Sequence, residues 1–383
     1  MGECQKEFLS ITDQNFNQDN DTYQNNNPDG TETSSKKFDS KGFLYANIHL
    51  DSDNIKIGSI IPQQEFRFMF LRDWTLYNSV YYSNYVMSKL KLWNDLGKRE
   101  LNKFFAMMGI PANEYNQQYR FMTPKYKDIL KTKIMDVAPK FDLKHILMSS
   151  FVRQIDNKTQ LNASDMVYAI TSLLESSRSV MVDDVPEMKD EKENVAGENE
   201  EVVFDLEKHR EMLIENFWAA YKALNIKNKA YIDYGMSLSK EMQIALMKQG
   251  TSLITNKEIK PCTSFRYTIL SNDSLPETKI FQHPLAIQKL AIFVMEAYRE
   301  TRESKEDRPM IVAVKNTLRN SFLVSGVLGK DAMFTRSKNE FGTHFQEAAE
   351  KIGATFKYDG FEASIIEIGS DHFEEFIDEL IQL

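Results

Sequence analysis

Residues 311–327 read IVAVKNTLRNSFLVSGV, and their pattern decides the class of fold. Two short runs, 311–314 and 322–327, are rich in β-branched and large apolar residues and are set off by polar residues and glycine, the mark of β-strands. A third run of this kind occupies 266–270. Between it and 311 the period becomes that of a helix, with Pro284 at the head of a pattern that continues to Tyr298. Proline suits a first helical turn, where the amide it lacks would have no partner in any case. Downstream, 341–352 reads as a helix stopped by Gly353, 355–358 and 363–368 as strands, and 371–382 as a final helix. The last third of the chain is therefore mixed α/β.

Upstream the pattern is helical. Leu90, Trp93, Leu101, Phe104 and Phe105 recur as one face, and Gly109-Ile110-Pro111 stops that helix. A second helix over 126–137 ends at Pro139. Asn162 or Ser164 caps a third, whose core stripe is Met166, Val167, Ile170, Leu173 and Leu174. Residues 204–224 and 232–249 read as two more helices. Ile60-Ile61-Pro62 and the apolar run 66–71 mark the start of the packed chain. Residues 1–59 are rich in Asn, Asp, Gln, Ser and Lys, and bury too little to offset conformational entropy, so a disordered polar leader is expected. The acidic stretch 181–202, containing VDDVPEMKDEKENVAGENEE, reads as a solvated linker. The expected organisation is a leader (1–59), a helical domain (60–180), a linker (181–202) and an α/β C-terminal domain (203–383) entered through helices over 203–250.

Composition narrows the function. The chain has 383 residues, 47 basic and 56 acidic, for a net charge of -9. That balance argues against a dedicated duplex-DNA binder, which exchanges a basic footprint for counterions. Cys4 and Cys262 stand far apart and make neither a disulfide framework nor a thiolate zinc site. The N-terminus has no apolar signal core, and no run of about eighteen apolar residues occurs, so an intracellular protein off the membrane is expected.

The search for chemistry finds little. Ser325-Gly326-Val327-Leu328-Gly329-Lys330 invites a phosphate-loop reading, but that loop needs Gly where Val324 stands and Ser or Thr where Asp331 stands. A strand-end turn is the simpler account. No histidine pair has metal-ligand spacing, and no nucleophile signature occurs. Neither metal nor cofactor is expected. One basic cluster remains: Lys315, Arg319, Lys330, Arg336 and Lys338. It is either a patch for nucleic acid or an acidic partner, or a solvated loop with scattered charges.

Several stretches taken together carry a resemblance. They include Trp74-Thr75-Leu76-Tyr77-Asn78-Ser79, Lys91-Leu92-Trp93, Phe105-Ala106-Met107-Met108-Gly109-Ile110-Pro111 and Ala163-Ser164-Asp165-Met166-Val167-Tyr168-Ala169. Farther on come 341–350 (FGTHFQEAAE), 361–368 (FEASIIEI) and 376–381 (FIDELI). In order and spacing, residues 60–383 resemble the cell division control protein 45 family. That family is related to the DHH phosphoesterases, including the RecJ nuclease, and its members are regarded as catalytically dead.

The resemblance implies a helical domain followed by a DHHA1-like α/β domain. It further implies a non-catalytic nuclear scaffold in eukaryotic DNA replication, joining the MCM helicase ring to the GINS complex. Gly342, Thr343, His344, Ala348 and Ala349 look like a degraded glycine-glycine-histidine motif of DHHA1 enzymes. Thr343 replaces the second glycine that close approach to a phosphate needs, so His344 is expected to be structural. The family normally carries a DHH-like domain where the polar leader stands here, so either a fragment or a shortened member is expected. Candidate interface anchors are Trp74, Tyr82 and Trp93, with Trp93 equally a core residue. The rivals are a surviving DHH-type phosphoesterase and a single-stranded DNA-binding module that uses the basic cluster.

Overall fold

Strand β6 (Met310–Asn316) lies inside a six-stranded sheet of order β4-β5-β6-β7-β9-β8. The other members are β4 (Lys260–Pro261), β5 (Arg266–Leu270), β7 (Ser321–Val327), β8 (Phe356–Tyr358) and β9 (Ile365–Gly369). Only β5 and β6 run parallel; the other pairs are antiparallel. The computed structural model describes residues 57–156, 159–176, 206–271, 276–301, 308–329, 339–360 and 362–382. The expected leader, apart from 57–59, and the acidic linker lie outside the described residues.

The IVAV run is continuous in apolar residues because this sheet is covered on both faces. Met310, Val312 and Val314 face one core, whereas Ile311 and Ala313 face another. The first face is covered by α10 (Pro284–Arg299), with α8 (Lys229–Thr255) packed on the far side of α10 and the short α9 (Pro276–Ile280) against α8; the second is covered by α11 (Phe341–Lys351) and α12 (Phe373–Gln382). Gly326 sits within β7, and a Cβ there would meet the Phe341 ring at 2.4 Å. This glycine admits a helix to the sheet, which answers the phosphate-loop reading. Gly353 closes α11 at φ +67° and Pro284 opens α10, as expected.

The helical section differs from expectation in three respects. First, the stripe from Leu90 to Phe105 is not one helix. The helix α2 (Asn84–Leu90) ends at Lys91 with φ +55°, and α3 (Asp95–Met108) starts afresh. Asn94 Oδ1 caps α3 by accepting from the Gly97 amide at 2.7 Å, and Gly109 ends it at φ +66°. Second, the section contains a three-stranded antiparallel sheet of β1 (Ile60–Phe66), β2 (Leu147–Gln154) and β3 (Gln160–Asn162). Residues 57–59 extend it, because the Gly58 amide donates to Gln154 O at 2.8 Å. Third, Val167 on α6 (Ala163–Leu174) is exposed rather than part of the core stripe. The rest of the expected stripe holds, with Leu173 buried and Met166, Ile170 and Leu174 half-buried against the core; Asp165, Ala169, Thr171 and Ser172 complete the buried side, and Asn162 is the cap.

Two short helices, α1 (Leu76–Tyr81) and α4 (Ala112–Tyr115), flank α2 and α3; α5 (Pro124–Val137) packs beyond them. One hydrophobic core runs from Phe68–Ile146 of this section into α8, α10 and the first face of the large sheet. Residues 55–383 thus form one compact unit. A smaller core joins α6 to α7 (Leu206–Ala223) and the start of α8. No helix among the described residues is long and apolar enough to cross a membrane.

Candidate protein-docking surface

Helix α7 has two unlike faces. Ala219, Ala220 and Ala223 pack inward in the core shared with α6 and α8, and the buried Asn216 donates to Ser176 O at 2.8 Å. The large side chains point the other way. Phe217, Trp218 and Tyr221 are 50%, 53% and 60% exposed, and Leu213, Ile214 and Leu224 extend the stripe. The three rings hold one another in place. Phe217 meets Trp218 edge-on at 5.4 Å and stacks on Tyr221 at 6.5 Å, while Trp218 and Tyr221 lie edge-on at 5.9 Å. A surface helix normally turns its apolar stripe inward. A contiguous exposed aromatic patch instead marks a site of interaction. It was not singled out among the sequence candidates, although apolar residues on both sides of 212–224 are the signal that would have found it.

The sequence-expected anchors lie elsewhere and are half-buried. Trp74 stacks on Tyr82 at 4.9 Å, and both lean on core clusters, as does Trp93. Among the described members of the basic cluster, Arg319 is drawn into a polar group. Its Nη2 lies 2.6 Å from His209 Nε2 on α7, and its Nη1 lies 3.5 Å from Glu367. Burial and the neighbouring guanidinium hold the His209 pKa below the usual range, so the ring accepts the arginine's proton donor. Lys315 is half-buried at the end of β6. Lys330, Arg336 and Lys338 lie outside the described residues. In the motif resembling DHHA1, His344 departs from the structural role expected of it, since it is exposed together with Thr343, whereas Ala348 and Ala349 are buried in the core. At Gly342 a Cβ would approach the Ala363 carbonyl to 2.8 Å, so helix packing accounts for that glycine.

A cleft of about 820 Å³ opens at the C-terminal end of α7. Its wall includes Arg72, Arg120, Lys127, Arg153 and Lys229, with Asp73, Asp165 and Asp233. Asp165 is buried, accepts from the Phe70 amide at 3.1 Å, and is pushed up to about 7 by burial, against the pull of that amide and of Arg72. A second buried carboxylate, Glu175, accepts the Leu285 and Ala286 amides at the head of α10 (2.6 and 2.9 Å) and is likewise raised to about 7 by burial. Among the described residues no group of three or more His, Cys, Asp and Glu comes together to hold a metal.

These shifts fix the sign of a pH dependence. A carboxyl whose folded pKa exceeds its unfolded value binds its proton more tightly when folded. The stability from Asp165 is therefore fully present below its ordinary 3.8 and is lost as pH rises through about 7. Asp165→Asn keeps an acceptor for the Phe70 amide but cannot ionise. Between pH 5 and pH 8 the thermal midpoint of the variant is expected to fall less than that of the parent. A parent curve no steeper than the variant's would refute the assignment.

Comparison with known proteins agrees with this architecture. The family model named CDC45 matches residues 7–383. The Cell division control protein 45 homologue of Dictyostelium discoideum is 32% identical over 321 residues, covering 84% of this chain and 45% of its own length. The homologue of Schizosaccharomyces pombe is 33% identical over 341 residues, covering 84% of this chain and 51% of its own. For Cell division control protein 45 of Saccharomyces cerevisiae the figures are 31% over 330 residues, 83% and 50%. This chain thus spans about half the length of the curated relatives it matches. Among solved structures, the crystal structure of CDC45 from Entamoeba histolytica shares the fold with TM-score 0.61 at 20% identity, over 86% of this chain and 58% of that one. With the helical section, the two-faced sheet and nearly the whole sequence in agreement, the chain belongs to the CDC45 family.

Proposed function

We propose that this chain acts as a non-catalytic nuclear scaffold in eukaryotic DNA replication, holding the MCM helicase ring and the GINS complex together. Family membership supports the setting, because the relatives are named for control of cell division. The observation that carries the scaffold reading is the exposed ring cluster of Phe217, Trp218 and Tyr221. Trp and Tyr dominate interface hot spots, and truncating one costs about 2 kcal/mol or more of binding. The energy for opening DNA comes in this reading from the ring's own nucleotide hydrolysis, and the scaffold contributes geometry.

Tagged chain purified from replicating cells, with partners identified by mass spectrometry, tests the proposal. MCM and GINS subunits should be recovered with the parent, and Trp218→Asp should reduce their recovery about tenfold or more. A folded parent that recovers neither complex refutes the scaffold reading.

A further inference from the structure

The aromatic stripe and the cleft meet. Ala223, Asn225 and Ile226 line the cleft, the intervening Leu224 is exposed, and its carbonyl oxygen accepts from Arg153 Nη1 at 2.9 Å. From Leu224 back to Ile214 the stripe runs ten residues of helix, about 15 Å, which some five residues of extended chain would cover.

The charges in the cleft are unevenly matched. Each of its carboxylates is already engaged: Asp73 by Lys240 and by Arg120 (3.6 Å), Asp233 by Lys229 (2.6 Å), and Asp165 by the Phe70 amide. Lys127 and Arg153 have no carboxylate partner among the described residues; Lys127 donates to Arg120 O and lies over the Tyr119 ring. The Arg153 Nε is buried with no hydrogen-bond acceptor, a costly state for a charged donor. This is a local excess of cations in a chain of net charge -9.

We propose that cleft and stripe form one surface for an acidic, apolar segment of a partner protein, with its carboxylates beside Arg153, Lys127 and Arg120 and its apolar side chains on Tyr221 and Trp218. The assignment rests on the scaffold reading and names the chemistry of the partner. A protein segment fits better than single-stranded nucleic acid. Backbone phosphates require cations all along their path. From Ile214 to Leu224 the sequence IENFWAAYKAL carries one cation, Lys222, next to the cleft end, and it is offset by Glu215, so no row of cations follows the stripe. Negative charge is accommodated in the cleft and not along the stripe, so the ligand must be acidic at one end and apolar at the other.

Fluorescence anisotropy on the full chain tests this with a fluorescein-labelled peptide EDEDGLSFSL and, separately, with a twenty-nucleotide oligothymidylate. The peptide is expected to bind more tightly than the oligonucleotide. Both Trp218→Asp and the pair Arg120→Glu with Lys127→Glu should weaken peptide binding about tenfold or more. All these positions are solvent-facing or on the cleft rim, and far-ultraviolet circular dichroism verifies that each variant is folded. Peptide binding that ignores either set of changes overturns the bipartite surface, and tighter binding of the oligonucleotide overturns the choice of a protein segment. A dimer in sedimentation that Trp218→Asp dissolves would make a second copy of the chain the occupant, which also overturns it. Recovery of MCM and GINS is measured separately. Peptide failure with recovery intact refutes this inference alone, and peptide binding without recovery refutes the scaffold reading alone.

Discussion

Arg72→Met is expected to destabilise the protein by about 3–5 kcal/mol, the scale for breaking a buried ion pair from one side. Arg72 Nη1 and Nη2 donate to the two carboxylate oxygens of Glu65 at 2.8 and 2.6 Å. Glu65 is only 5% exposed, and the Gln63 and Asn162 amides (2.8 and 3.1 Å) complete its shell. Removing the guanidinium leaves a carboxylate between strand β1 and the cap of α6 with no countercharge. Adding Glu65→Gln should then recover part of the loss, because the remaining donors suit a neutral amide. Urea unfolding of the two single variants and the double variant measures the coupling, expected at about 0.5–3 kcal/mol for residues in direct contact. Additive losses would mean that the pair contributes nothing beyond its separate side chains.

The second large effect lies in the other core. Phe345→Ala is expected to cost about 3–5 kcal/mol, the range for removing a fully buried ring. Phe345 on α11 has no exposed surface and touches Phe341 (ring centroids 5.4 Å apart) and Phe376 on α12 (5.9 Å). Helices α11 and α12 are held to the sheet largely through these rings and through Phe322 stacked on Phe373 at 3.7 Å. The adjacent substitution provides the contrast. His344 is exposed on the same helix, and His344→Ala should change stability by no more than about 0.5 kcal/mol. A large loss for His344→Ala, or a small one for Phe345→Ala, would reverse the reading of this segment as packing rather than as a remnant ligand site.

How far the sequence was legible depended on how local each determinant is. Pro284, Gly109 and Gly353 act within one turn of themselves, and the helix ends they imply are where the structure has them. Strand β2 was not read, because LMSSFVRQ alternates weakly and its partner β1 lies more than eighty residues upstream. The break at Lys91 escaped for a related reason: its neighbours keep an apolar period on both sides, and only the backbone reversal reveals two helices. Hydrophobicity alone puts Val167 in the core, yet Asp165 occupies the inward position, where it accepts from the Phe70 amide. The docking stripe was hidden in the same way. Periodicity identifies the helix 206–223, but alanines rather than aromatics turn out to face its neighbours. A one-dimensional pattern does not say which of two apolar faces a fold will cover.

The single core shared by residues 68–146 and 242–327 has a consequence for synthesis in the cell. The helical section leaves the ribosome with its apolar side exposed, and the strands and helices that will cover it are encoded roughly 180 residues later. At about 5–20 residues per second, that surface waits roughly 10–35 s for its complement. Nascent chains of this protein are thus natural clients for chaperones that shield hydrophobic segments. Conditions that slow translation between the two halves will lower the yield of native protein without altering the stability of the finished fold.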